Sequence, residues 1–327
     1  MKNISIPNQF KSVIKVLFTL TILFFITKNI KLELLSEHLN GAEYEFLTFA
    51  SFAFITGVCI NTLRLKLFFN EDIAYYQLLK INFIGLFFSI FLPGRTSGDV
   101  VRGYYIEKSL KNLSQTISIL MVWRLIGTFT MVFISCIMSF FSYSIIKDKS
   151  IIYYPISIFI ILVLFIIILL NPKLFLPSQL YSSVQKFRKI ALGKSFSSIH
   201  SDLMYMKNKP RLIPFNIILS IISNFFMLFT WYFISQSIHA NISIQYIIIF
   251  IPLVSILQAI PISLNGMGIR EGAAVYLFSK IGIMKEISFI MALFYSTISI
   301  LISLVGGLVY LLYRNEVLAI DKTRLPN

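Results

Sequence analysis

Runs of apolar residues long enough to cross a lipid bilayer constrain this chain more than any other feature. A membrane-spanning helix takes about 20 predominantly apolar residues, and six segments reach that length: 11–30, 45–69, 114–145, 151–170, 212–236 and 286–313. The first has a basic start like a signal peptide, but no small-residue cleavage pattern follows it, and we interpret it as a retained anchor span. The sequence therefore predicts an all-α polytopic membrane protein.

The composition excludes a water-soluble globule and argues against several ligands. Hydrophobic residues make up 57% of the chain and charged residues 13%, about half the usual ~25%. The net charge of +15 lies mostly in short segments beside apolar runs, which is typical of a membrane protein and not of a nucleic-acid-binding one. Cys59 and Cys136 stand singly in apolar runs, and the three histidines show no ligand spacing. We expect the membrane as a partner, and no nucleic acid, metal or cofactor.

Two further apolar stretches are broken. Residues 81–92 end at Pro93-Gly94, and residues 246–261 end at Pro261 before a short apolar segment continues to about 281. If both return to the side from which they enter, 21 Lys and Arg residues lie on the cytoplasmic side against six outside. A full crossing by 81–92 would move twelve of these basic residues outside, against the positive-inside rule. The sequence predicts six full spans plus two re-entrant helical hairpins, with both termini cytoplasmic.

An internal repeat supports the same topology. The pattern P-x4-G-x3-R occurs twice, 168 residues apart, at Pro93, Gly98 and Arg102 and again at Pro261, Gly266 and Arg270. Neighbouring spans coincide at the same offset, and the two halves begin on opposite sides, which indicates an inverted-topology repeat. We expect a single transmembrane domain over 1–327, with one half at about 1–148 and the other at about 149–327. The second half includes a basic cytoplasmic loop, 171–211.

Both helix breaks carry residues suited to an anion. A half-helix that begins inside the membrane presents free N–H groups and the positive end of its dipole. At the first break, Arg95 and Arg102 add guanidinium forks that match phosphate oxygens. The second break repeats this chemistry, with Asn265 as a cap, two flexible glycines and Arg270 one turn into the helix.

Arg124 lies well inside the apolar run 115–145. A charge at a helix centre costs ~2.5–3.5 kcal/mol on insertion scales, so it should face a cavity or a partner, for which Asp99, Glu107 and Glu271 are the candidates. A purely structural interpretation is also open. Asp99 and Arg102 are spaced i, i+3, so in this interpretation they only neutralise each other. Arg270 and Glu271 would do the same with residues across the repeat interface. The candidate substrate-binding residues are Arg95, Gly98, Asp99, Arg102, Arg124, Asn265, Gly266, Gly268, Arg270 and Glu271.

Enzyme signatures are missing from the sequence. The chain contains no Walker A motif and no G-x-S-x-G element, so we assign no catalytic residue and favour a transporter over an enzyme. A membrane-embedded transferase with Asp99 or Glu271 as its base stays an alternative.

The paired breaks resemble a known family. The stretch PGRTSGDVVRGYYI, followed much later by PISLNGMGIREGAAVYLF, resembles the membrane region of lysylphosphatidylglycerol synthases, and the resemblance covers nearly the whole chain. It implies a bacterial inner-membrane location and a flippase-like role in moving an anionic or modified phospholipid between leaflets. It places seven residues on the motif positions: Gly98, Asp99, Arg102, Gly266, Gly268, Arg270 and Glu271.

One departure bears on the substrate. The bifunctional synthases carry a cytosolic aminoacyl-transferase domain that has no counterpart here, so we expect that this chain does not itself make lysylphosphatidylglycerol. The expected partner is an anionic phospholipid or a polyprenyl-linked lipid, and a second copy of the chain or a separate lipid-modifying enzyme is open as a protein partner. The alternative function is a membrane-embedded accessory protein or transferase in envelope lipid or glycolipid synthesis.

Overall fold

The structure is a computed structural model that describes residues 41–69, 73–92, 97–144, 146, 148–170, 212–260 and 262–322. Every regular element in these ranges is a helix, which agrees with the predicted all-α class. The helices, numbered along the described chain, are α1 (Tyr44–Lys66), α2 (Tyr75–Phe91), α3 (Ser97–Leu110), α4 (Leu113–Phe141), α5 (Ser150–Leu170), α6 (Leu212–Ser237), α7 (Ile244–Leu257), α8 (Ile269–Ser279) and α9 (Lys285–Lys322).

Four of these helices contain stretches that are long and apolar enough to cross a membrane. The stretches match the predicted spans 45–69, 114–145, 212–236 and 286–313, and they are Tyr44–Lys66, Gln115–Phe141, Leu212–Ser237 and Lys285–Tyr313. Helix α5 follows the predicted span 151–170 closely, whereas the predicted span 11–30 and the loop 171–211 lie outside the described residues. The chain is a multi-pass helical membrane protein.

The four short helices form two antiparallel hairpins. Helices α2 and α3 have 17 and 14 residues, or about 26 and 21 Å at 1.5 Å per residue, which is less than the ~30 Å hydrocarbon core. Arg102 of α3 bonds Asn82 of α2, and Gly98 lies against Gly85, so the second helix runs back along the first. In the other hairpin the rings of Phe250 and Phe278 meet at 5.3 Å.

Helices α1 and α6 run antiparallel along their whole length and form the most extensive helix pair. The Glu43 N–H at the start of α1 donates to the Ser237 carbonyl at the end of α6, at 2.8 Å. At the opposite end, the Asn216 side-chain amide donates to the Arg64 carbonyl at 2.9 Å. Helices α6 to α9 each begin within four residues of the positions that lie 168 residues after the starts of α1 to α4. The pair α1 and α6 therefore brings together two helices that correspond in the sequence repeat.

The described residues form two buried apolar clusters, the larger mainly among α1, α6, α7, α8 and α9 and the smaller among α1, α2, α3 and α4. Trp231 of α6 stacks on Tyr295 of α9 with ring centroids 4.8 Å apart, and Phe250 and Phe278 are fully buried beside them. Between α2 and α9 the backbones approach so closely that a Cβ on Gly306 would meet the Phe83 carbonyl oxygen. Small residues serve such contacts because packing, and not removal from water, drives helix association in lipid.

Candidate functional site

A cavity of about 320 Å³ lies beside the first helix break, among α1, α2, α3, α4, α6, α7 and α9. Four charged side chains line it, three of them arginines: Arg64, Asp99, Arg102 and Arg124. Apolar side chains and glycines form much of the rest of the lining, and its neutral polar residues are Asn61, Asn82, Ser89, Thr128, Ser223, Asn224, Ser255, Asn265 and Ser299. Charged side chains in membrane-spanning segments are expected to face a cavity of this kind and not the lipid.

Asp99 is the centre of the charged network. It lies in the first turn of α3, and its two oxygens pair with Arg102 and Arg124. Of the three candidate partners for Arg124, the structure thus selects Asp99. The Arg102 Nε donates to Asn82 at 2.7 Å, and Asn82 in turn donates to Thr62 at 2.7 Å. This chain of bonds fixes Arg102, while the Arg124 side chain stays 37% exposed.

Arg64, near the end of α1, is a charged residue of the cavity that the sequence reasoning missed. Its guanidinium donates to Asn61 at 2.6 Å, to the Trp123 carbonyl at 3.0 Å and to Asn216 at 3.4 Å. The guanidiniums of Arg64 and Arg102 both lie over the Trp123 ring, with each Cζ 5.9 Å from the ring centroid, which is a cation–π distance. Arg64 is one of the 21 basic residues that the charge count places on the cytoplasmic side. Its position inside the predicted span 45–69 is, however, a signal of the same kind as that of Arg124.

The second break holds a closed ion pair. The Arg270 Nε and Nη2 lie 3.1 and 3.0 Å from one Glu271 oxygen, and Ser296 donates to the same oxygen at 2.8 Å. The other Glu271 oxygen accepts the Gly268 N–H at 2.6 Å, which caps α8. Arg270 also lies over the Tyr295 ring at 5.3 Å. Arg270 and Glu271 are 2% and 1% exposed, and neither lines the cavity.

The structure brings four of the predicted site residues to the cavity: Asp99, Arg102, Arg124 and Asn265. The predicted glycines lie where the backbone is crowded or turns. A Cβ on Gly98 would meet the Gly85 carbonyl oxygen, and one on Gly266, at φ +76°, would lie 2.7 Å from the Gln258 Cβ. Gly268 is the residue before α8. Arg95 lies outside the described residues.

The arginines of the cavity carry groups of the kind that bind anions. Guanidinium groups present planar pairs of N–H donors that match phosphate or carboxylate oxygens. Three of them and one carboxylate belong to the described lining. Within the described ranges, no group of three or more His, Cys, Asp and Glu residues is placed to hold a metal ion.

Comparison with known proteins agrees with these features. The family described as Lysylphosphatidylglycerol synthase TM region matches residues 12–307. The chain is also similar to the UPF0104 membrane protein MJ1078 of Methanocaldococcus jannaschii, with 28% identity over 240 residues, which cover 71% of this chain and 97% of that protein. No solved structure gives a significant match. With almost all of its length matched, the chain belongs to the lysylphosphatidylglycerol synthase TM region family.

Proposed function

We propose that this protein is flippase-like and moves an anionic or modified lipid between the leaflets of the bacterial inner membrane. The observation that carries the proposal is the cavity, which places three arginines and one aspartate among membrane-spanning helices. Because a charge inside the hydrocarbon region is costly, such a cluster marks a pathway for a polar or charged group. The lipid headgroup would occupy the cavity while its acyl chains stay in the bilayer.

Within this proposal, four residues contact the headgroup. Arg124 is its first ligand because its side chain is the most exposed of the ion-paired groups in the cavity. Arg102 and Asp99 lie directly behind it, and Asn265 approaches from the second break. Asp99 acts as a stand-in anion that holds the two arginines when no headgroup is bound. The pair formed by Arg270 and Glu271 fixes the second hairpin and does not touch the lipid.

We further propose the topology expected from the sequence, with six full spans, two re-entrant hairpins and both termini cytoplasmic. Three observations support it. The hairpin helices are short, and those of the first hairpin run antiparallel. The corresponding helices α1 and α6 also run in opposite directions. The charge count from the sequence, without the two cavity residues Arg64 and Arg102, still divides 19 to six between the two proposed sides. Opposite orientation of equivalent helices is the property that defines an inverted repeat, which places two helix breaks near the midplane.

A leaflet-sidedness assay tests the proposed activity. The purified chain is reconstituted into liposomes with fluorescent phosphatidylglycerol, phosphatidic acid or phosphatidylcholine, and the inner-leaflet fraction is measured by chemical quenching from outside. We expect at least one anionic lipid to equilibrate faster than in protein-free liposomes and faster than phosphatidylcholine. Replacing Arg124 with Gln should remove most of this acceleration. Equal rates for all lipids with and without protein would refute the activity.

The alternative function makes a different prediction in the same liposomes. A transferase changes the mass of the lipid, whereas a flippase changes only its leaflet. Mass spectrometry of the lipids extracted after an incubation with candidate donor lipids therefore separates the two. A modified lipid that disappears when Asp99 is replaced by Asn would favour the transferase.

A further inference from the structure

The two halves of the repeat contribute different chemistry to the cavity. The charged residues of its described lining all belong to the first half and are Arg64, Asp99, Arg102 and Arg124. The described lining residues of the second half, 149–327, are all uncharged, and the polar ones among them are Ser223, Asn224, Ser255, Asn265 and Ser299. The cavity therefore has one wall with charged groups and another wall, the neutral wall, whose polar groups are uncharged.

The region around the second break has hydrogen-bonding groups that the described residues do not use. Buried side-chain oxygens without a hydrogen-bond partner among the described residues are those of Ser142, Ser255, Gln258 and Ser263. Three of these four lie within nine residues around the second break. A buried polar group without a protein partner is rare, and a ligand or an ordered water commonly supplies the missing bond. Ser255 is a member of this group that lines the cavity.

The backbone of the second break brings Asn265 to the same wall as Ser255. Helix α7 ends at Leu257, and the following loop folds back on this end, because a Cβ built on Gly266 would lie 2.7 Å from the Gln258 Cβ. Asn265 has φ +48°, a left-handed conformation that asparagine adopts more readily than most residues. Asn265 and Ser255 both line the cavity, so an amide and a hydroxyl offer donors and acceptors on one wall.

A neutral wall of hydroxyls and amides suits an uncharged part of the ligand that forms hydrogen bonds. Ligand hydroxyls both donate and accept, so they pair with a serine hydroxyl and with either end of an asparagine amide. A headgroup that joins an anion to free hydroxyls matches both walls, whereas one that ends in an alkyl group leaves the Ser255 hydroxyl unpaired. Sites built to bond a hydroxyl discriminate against an analogue that lacks it.

We propose that the ligand of this cavity is an anionic lipid whose headgroup carries free hydroxyls, as a phosphoglycerol or a phosphosugar does, and that Ser255 and Asn265 bind these hydroxyls. The inference rests on the proposed function and adds to it the uncharged part of the headgroup. The anionic part stays with Arg102 and Arg124 on the opposite wall.

Two lipids of equal charge test the role of the hydroxyls. Dioctanoyl phosphatidylglycerol and dioctanoyl phosphatidylpropanol have the same phosphodiester charge and the same headgroup carbon chain, and only the first carries headgroup hydroxyls. Each lipid is titrated into the purified full chain in detergent, with dioctanoyl phosphatidylcholine as the zwitterionic reference. We expect phosphatidylglycerol to bind at least about tenfold more tightly than phosphatidylpropanol, as the loss of one or two neutral hydrogen bonds predicts.

The outcomes separate this inference from the proposed function. If phosphatidylpropanol binds as tightly as phosphatidylglycerol, and both bind more tightly than phosphatidylcholine, the hydroxyl inference is warranted no longer, Ser255 bonds only water, and anionic-lipid binding stands. If neither anionic lipid binds more tightly than phosphatidylcholine, both the inference and the proposed function are wrong. Dioctanoyl phosphatidylinositol, titrated in the same way, distinguishes a sugar-like ring from a glycerol group by which of the two headgroups binds more tightly.

The role of Ser255 has its own test with a matched control. Ser255→Ala removes the hydroxyl from the neutral wall, so the preference for phosphatidylglycerol should fall to within about threefold, while phosphatidylpropanol binds as before. Ser142→Ala removes a hydroxyl that is also buried and without a described partner, at the end of α4 and outside the lining, and should leave the preference unchanged. An unchanged preference in Ser255→Ala would overturn its assigned role. Because neither hydroxyl bonds a described residue, both variants keep the described hydrogen bonds of the fold.

Discussion

The two helix breaks share a sequence pattern but differ in what their charges do. At the first break, Asp99 is 17% exposed and serves two arginines, one of which, Arg124, is 37% exposed at the cavity. At the second break, Arg270 and Glu271 are each 2% exposed in their side chains and satisfy each other. One break holds a partly exposed charged network at the cavity, and the other holds a closed, buried ion pair.

The position of the carboxylate explains this difference. Asp99 precedes Arg102 by three residues and lies one turn away on the same face of α3, where it also reaches Arg124 on α4. Glu271 directly follows Arg270 and turns back to the N–H of Gly268 at the start of its own helix. A carboxylate used as a helix cap is held by the backbone, whereas one shared between side chains can exchange partners. The same repeated motif thus holds a partly exposed network at a cavity in one half and a buried ion pair in the other.

The largest expected effect concerns the side of the membrane on which the ends of each hairpin lie. Ser109→Cys and Lys280→Cys each place a thiol at an exposed position near the base of one hairpin, in a background where Cys59 and Cys136 are replaced by Ser. We expect a membrane-impermeant maleimide to label intact cells at position 280 only, and permeabilised cells at both positions. This outcome follows if the two halves are inverted. Labelling of both thiols in intact cells would contradict the inverted topology.

A second prediction separates the two carboxylates by stability. Glu271→Ala leaves Arg270 buried without its counter-charge, and removing one partner of a buried pair costs about 3–5 kcal/mol. Asp99→Ala should cost clearly less, because the partly exposed Arg124 can reach water. Thermal unfolding of the purified variants in detergent measures both effects, with Glu45→Ala at an exposed position of α1 as the control. A larger loss of stability in Asp99→Ala would reverse the assignment of the open and closed networks.

Much of the fold was predictable from the sequence because apolar run length and helix breaks are local signals. The apolar stretches of α1, α4, α6 and α9 match the predicted spans within a few residues, and Asp99 is one of the predicted partners of Arg124. The cavity was not predictable, because Arg64 depends on Asn216, 152 residues away. The charge count also placed Arg64 on the cytoplasmic side. A basic residue near a helix end can lie either at the membrane interface or in a cavity, and the count does not distinguish the two.

A third prediction compares the two arginines of the repeat. Arg102→Lys keeps the charge but loses the fork that bonds Asn82 and Asp99 together, so the affinity for an anionic lipid should fall about ten- to a hundredfold, the equivalent of ~1.5–3 kcal/mol for a charged hydrogen bond. Arg270→Lys should lower the thermal stability instead, with lipid affinity unchanged per folded molecule. Binding titrations at matched folded concentration measure the difference. Loss of affinity in Arg270→Lys alone would place the ligand at the second break.

The smallest expected effect tests how closely the first hairpin must pack to keep its site open. A Cβ on Gly98 would meet the backbone oxygen of Gly85, so Gly98→Ala must move α3 away from α2, at an overpacking cost of about 1–3 kcal/mol. Gly103→Ala is the matched control on the same helix, because its Cβ would lie 3.4 Å from the end of the Leu120 side chain, which can adjust. Since the bond from Arg102 to Asn82 spans the same two helices, Gly98→Ala should weaken lipid binding along with stability. Equal stability of the two variants in thermal unfolding would show that the contact between α2 and α3 tolerates a methyl group. Close packing of the two helices would then not be what holds Arg102 in place.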